Sequence, residues 1–88
     1  MDGQFDLEVA ADEELERACD LSWRELRRII PWGDSYSGFT QDGRGAEFER
    51  NYIWAGDEGG DILCEVAVYR EAASYDRAAR RTRLIRKG

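Results

Sequence analysis

The sequence predicts an α+β protein in which an N-terminal helix or helix pair packs on a small antiparallel β-sheet of three to four strands. Three observations carry this reading. Residues 12–30 place apolar side chains at helical spacing, residues 46–54 and 62–69 alternate apolar with polar side chains, and the alternating half is punctuated by the turn signals Asp42-Gly43 and Asp57-Glu58-Gly59-Gly60. With 88 residues the chain can build one core but not two. Its 42% hydrophobic content, which includes 3 Trp, 4 Tyr and 3 Phe, sets it apart from disordered compositions.

Residues 4–10 alternate Phe5, Leu7 and Val9 with polar positions, which fits a short strand or an unstructured acidic lead-in. Asp12 is placed to cap a helix that runs to about Cys19, with Glu13, Glu14 and Glu16 in its first turns and Leu15, Ala18 and Cys19 facing inward. Ser22 and Glu25 form a capping box, and Leu21 and Leu26 stand at hydrophobic-staple spacing, so a second helix is expected from Trp23. Trp23, Leu26, Ile29 and Ile30 give it one apolar stripe, Arg24, Arg27 and Arg28 its wet side, and Pro31 its stop. A loop follows over 31–36, then a strand over 36–40. In the next strand Phe48, Arg50, Tyr52 and Trp54 face one way and Glu47, Glu49, Asn51 and Ile53 the other; in the third, Ile62, Cys64, Val66 and Val68 oppose Leu63, Glu65, Ala67 and Tyr69. The last segment reads as a turn or short helix over 72–80 followed by a fourth, arginine-rich strand. The competing reading is one helix with Tyr75, Ala78, Ala79, Thr82 and Ile85 on a face.

Several function classes are disfavoured by what is missing. There is no His, which removes the usual neutral-pH base, the Ser-His and Cys-His pairs and most catalytic zinc sites. Cys19 and Cys64 are far apart in sequence, form no CxxC, and suit small core positions. The glycines sit at turns rather than in a phosphate loop, and the Asp57, Glu58, Asp61 cluster lacks calcium-loop spacing. No catalytic, cofactor or metal site is therefore expected, and no enzyme. No apolar run approaches the roughly 18–20 residues of a membrane span, and the acidic start is unlike a signal peptide, so a soluble intracellular protein is expected.

The net charge of -6 conceals a gradient. Residues 1–20 carry eight acids and one base, whereas residues 70–88 carry seven bases and two acids. The two ends could neutralise each other in the fold, or the acidic run could steer the chain onto a basic partner. Direct nucleic-acid binding through the C-terminal arginines is opposed by the overall charge. The candidate contact residues are the acids Asp12, Glu13, Glu14, Glu16, Asp20, Glu47, Glu49, Asp57 and Glu58, together with Trp32, Asp34 and Tyr36 near the proline, a composition suited to interface anchoring.

In size, in its lack of catalytic residues and in its acidic string from Asp2 to Asp20 with Glu47, Glu49, Asp57, Glu58 and Asp61, the chain resembles the small acidic inhibitor proteins of phages and mobile elements, anti-CRISPR proteins and DNA mimics among them. The basic C-terminal segment departs from that pattern. The resemblance implies a cytoplasmic setting in a bacterial or phage-infected cell and a basic nucleic-acid-binding protein or complex as the partner. The alternative is a structural or homodimerising phage-type accessory module that uses an aromatic surface.

Overall fold

The computed structural model describes residues 3–88, so Asp2 of the acidic string lies outside the described residues. It has the order α1 (Gly3–Ala18), α2 (Trp23–Leu26), β1 (Trp32–Phe39), β2 (Gly45–Trp54), β3 (Ile62–Tyr69), a 3₁₀ turn (Ala72–Arg77) and β4 (Ala79–Ile85). The four strands form one antiparallel sheet in the order β1-β2-β3-β4, and α1 packs on β3 and β4. This is the α+β class expected, with the fourth strand present. Among the described residues, no helix is long and apolar enough to cross a membrane.

Three boundaries correct the sequence reading. Residues 4–10 are neither strand nor lead-in but the first turns of α1, which makes Asp12 a mid-helix residue instead of a cap. Leu7, Ala10, Ala11, Leu15 and Ala18 recur every three to four residues and are all buried, and this longer helical period overrides the short alternation of Phe5, Leu7 and Val9. α2 is a single turn that ends at Leu26. Its capping box is formed as expected, but Arg28 and Ile29 donate to carbonyls three residues back, tightening the chain as it nears Pro31. β1 begins at Trp32, so the expected loop over 31–36 is mostly strand and Thr40 belongs to the turn.

The turn chemistry follows the sequence closely. Thr40 N–H donates to the Arg44 carbonyl at 3.0 Å, Gly43 N–H to the Thr40 carbonyl at 2.9 Å, and Gly43 takes a φ of 83° that a side chain would resist. Asp42 accepts from the Arg44 N–H at 3.1 Å and from the Thr40 hydroxyl. Arg70 reaches over this turn, donating to Thr40 Oγ1 at 2.9 Å.

The strand faces divide as the alternation predicts. Ala46, Phe48, Tyr52, Ile62, Cys64, Val66, Val68 and Ala79 join the buried residues of α1 and Leu26 in one core. Both cysteines are free, Cys64 buried and Cys19 half-buried beside it, and burial pushes the Cys64 thiol up to about 12. Among the described residues, the opposite face carries no α-helix. There Ile53, Leu63 and Leu84 stand side by side across three strands, and Tyr75 meets Tyr69 edge-on with ring centroids 5.0 Å apart.

Tyr52 ties the layers together: fully buried, it donates its hydroxyl to the Ala18 carbonyl at 2.8 Å, where α1 ends. Tyr52→Phe leaves that carbonyl without its donor and is expected to cost about 1–3 kcal/mol. A urea melt of the variant checks this; an unchanged midpoint would mean the bond contributes nothing.

Candidate functional site: the β1 edge and its ionic anchor

α1 covers β3 and β4 and leaves the helix-side face of β1 open. The register puts Trp32, Asp34, Tyr36 and Gly38 on that face, opposite Tyr52, Arg50, Phe48 and Ala46 of β2. Trp32 stacks on Tyr52 at 5.4 Å with planes 23° apart, and Tyr36 on Phe48 at 5.0 Å with planes 6° apart. Trp32 thus closes the flank of the core while remaining 37% exposed, and Tyr36 does the same at 40%.

These aromatics surround an ionic cluster anchored by Glu14. Glu14 projects from α1 and is only 1% exposed, yet its Oε1 accepts from Arg17 Nη2 at 2.7 Å and from the Tyr36 hydroxyl at 2.5 Å, while Oε2 lies 3.6 Å from Arg50 Nε. A buried carboxylate is tolerated only when it is paired in this way. Arg50 in turn grips Asp34 with two parallel bonds, Nε to Oδ1 at 2.9 Å and Nη2 to Oδ2 at 2.7 Å, and lies 5.6 Å from the Trp32 ring centroid. The Arg50 bonds hold the Asp34 carboxyl below its ordinary range, and desolvation followed by the bond to Glu14 raises the Tyr36 phenol above 10.0. At neutral pH one stays ionised and the other protonated. The cluster locks α1 to the β1–β2 hairpin.

The outer side of β1 is an open backbone edge. Thr40 donates inward to Arg44, which sets the alternation of the ladder: even-numbered β1 residues bond to β2, and Gly33, Ser35, Ser37 and Phe39 point their N–H and C=O groups outward. All eight residues except Gly38 are exposed, and none is Lys, Arg or Pro.

The remaining expected contact residues do not gather. Asp12 accepts from Arg81 Nε at 2.6 Å and Glu16 from Arg83 Nη2 at 3.3 Å, so α1 and β4 neutralise each other across the fold. Glu13 and Asp20 are exposed on α1 and just after it, and Asp57 and Glu58 sit in the β2–β3 turn. Glu47 and Glu49 lie on the helix-free face, where they accept the hydroxyls of Ser37 at 2.9 Å and Tyr69 at 2.7 Å; the Glu49 bond is the main cause of the Tyr69 phenol being pushed up to about 12. Of the twelve expected residues, only Glu14, Trp32, Asp34 and Tyr36 come together. Arg17 and Arg50 complete the cluster without having been expected. For Arg50 the signal was available, because a hairpin turning at Asp42-Gly43 sets it near Asp34.

Among the described residues, no three His, Cys, Asp or Glu side chains gather as metal ligands. No family model, curated protein sequence or solved structure matches the chain.

A carboxylate with a depressed folded-state pKa contributes stability at neutral pH and loses it as the pH falls through that pKa. The Asp34–Arg50 contribution is therefore expected to disappear below the ordinary value of 3.8. Thermal melts between neutral pH and pH 2 should show Asp34→Asn less stable than the parent at neutral pH and converging on it in acid. Parallel curves would remove Asp34 as the group responsible.

Proposed function

We propose that the protein is a non-enzymatic binding module whose docking element is the β1 edge and whose occupant is a second copy of the chain. The supporting observation is the contrast between the sheet's two edges. β4 carries Arg80, Arg81 and Arg83 and lies against α1, the usual ways of blunting an edge, whereas β1, eight residues long, offers the outward-facing backbone groups of Gly33, Ser35, Ser37 and Phe39, with small side chains at the first three. Strand addition along such an edge forms backbone hydrogen bonds without rearranging the fold.

The pairing has a natural two-fold register. With Ser35 on the axis, Asp34 faces Tyr36 of the second copy, and Trp32 faces Gly38, so a large ring meets the residue with no side chain. The competing reading is an acidic surface that docks on a basic nucleic-acid-binding protein, as in the small inhibitors the chain resembles. That reading loses Asp12 and Glu16 to the β4 arginines and Glu14 to burial.

Sedimentation velocity at micromolar concentration, in low and high salt, tests the proposal. The expected result is a salt-tolerant dimer of twice 10.1 kDa. Ser35→Pro removes an outward N–H and no bond to β2, and Ser35→Lys sets two like charges opposite each other on the axis; each is expected to give a folded monomer. A parent that stays monomeric, or a dimer that survives both changes, would overturn it.

A further inference from the structure

The chain is acidic overall, yet one cleft gathers cations and indoles. Trp23, Arg27, Arg28, Trp54, Glu58, Gly59 and Lys87 line an open cleft of about 470 Å³, within the size range of small-molecule sites. Trp23 and Trp54 are half-buried against the core, so their rings are fixed. The Trp23 indole N–H is already committed to the Gly60 carbonyl at 2.7 Å, which anchors the ring, so that what it can offer a ligand is the surface it shares with Arg27. Arg27 lies 5.6 Å from the Trp23 ring centroid. Among the described residues, Arg27, Arg28 and the Lys87 side chain have no carboxylate within ion-pair distance, although Glu58 lies on the rim and Asp57 and Asp61 flank the same turn.

We infer that this cleft binds a free nucleotide, with the base against the Trp23 and Trp54 rings and the phosphates among Arg27, Arg28 and Lys87. Two indoles supply stacking surfaces that any base can use, and the guanidinium and ammonium groups are the side chains that take phosphate oxygens. Glu58, an acceptor, is placed to receive a hydrogen bond from a ribose hydroxyl or a base amino group. The net charge of -6 decides the size of the ligand. A polyanion would have to cross acidic surface beyond the cleft, whereas one or two phosphates lie within about 10 Å of the three cations and are screened from the rest. This inference is independent of the β1 edge, since none of the cleft residues belongs to β1.

Calorimetry of the full chain with ADP, adenosine, inorganic phosphate and a short single-stranded oligonucleotide tests it, together with ¹⁵N-resolved signals from the tryptophan indoles. ADP is expected to bind and to move the Trp23 and Trp54 signals, with adenosine and phosphate each at least about tenfold weaker because each makes half the contacts. Arg28→Ala and Lys87→Ala, both at exposed positions, are expected to weaken ADP about tenfold each by loss of a charge-assisted contact, while Arg44→Ala, which removes the same charge elsewhere, leaves it unchanged. The inference fails if millimolar ADP gives neither heat nor shifts, if adenosine alone binds as tightly as ADP, if the oligonucleotide binds more tightly than ADP, or if the Arg28 and Lys87 variants bind like the parent.

Discussion

One helix cannot cover four strands. An α-helix with its side chains is about 10–12 Å across, while four strands spaced about 4.8 Å apart set the outer backbones about 14 Å from each other before any side chain is counted. α1 settles on β3 and β4, and the helix-side face of β1 is left to close itself. The stacked pairs Trp32–Tyr52 and Tyr36–Phe48 are that closure, apolar inward and partly wet outward. Glu14 stands at the boundary between the covered and uncovered halves, which is why a carboxylate can be buried there. Tyr36 and Arg50 reach it from the uncovered side, and Arg17 from three residues along α1.

The charge gradient of the chain serves the same arrangement. β4 turns Arg81 and Arg83 toward the helix, where Asp12 and Glu16 receive them, with Glu8 a further 3.9 Å contact to Arg81. These pairs are exposed, and such pairs contribute about 0–1 kcal/mol each, so they fix how α1 lies along β4 more than they hold it there. What holds it is the shared core, in which Leu7, Ala10, Ala11, Leu15 and Ala18 of α1 are buried together with Val66, Val68 and Ala79. The acidic run thus spends much of its charge inside the molecule. Arg81 and Arg83 of the basic C-terminal segment are neutralised with it, and the cations at the cleft without a carboxylate in ion-pair distance are Arg27 and Arg28, just after α2, and Lys87, at the end of that segment.

How much of this was legible depends on the range of the interaction. The capping box at Ser22 and Glu25, the turn at Asp42-Gly43 and the two-face alternation of β2 and β3 are set by neighbours within a few residues, and each appears where the sequence places it. The start of α1 was obscured because Phe5, Leu7 and Val9 satisfy a strand period as well as part of a helical one, and only packing against the sheet decides between them. The sequence places Trp32 in a loop because Pro31 and Gly33 flank it. Its strand state is imposed by pairing with Tyr52, 20 residues on. The neutralisation of Asp12 and Glu16 links positions nearly 70 residues apart, and no local pattern encodes it.

The openness of β1 has two different origins. Its glycines are demanded from inside: a Cβ on Gly33 would stand 2.2 Å from Asn51 Oδ1 and 2.8 Å from the Arg50 carbonyl, and one on Gly38 would stand 2.9 Å from the Phe48 ring. Those two positions would be small whatever lay beyond the edge. Ser35 is under no such constraint. Its side chain makes no hydrogen bond among the described residues, it is exposed, and it lies beside Glu49, a partner that would welcome a lysine. A single basic residue there would blunt the edge at no internal cost, and β4 shows that the chain uses arginines on its other edge. The absence of any such residue along all of β1 is therefore not explained by the packing of the monomer, and the strand pairing proposed for that edge would account for it.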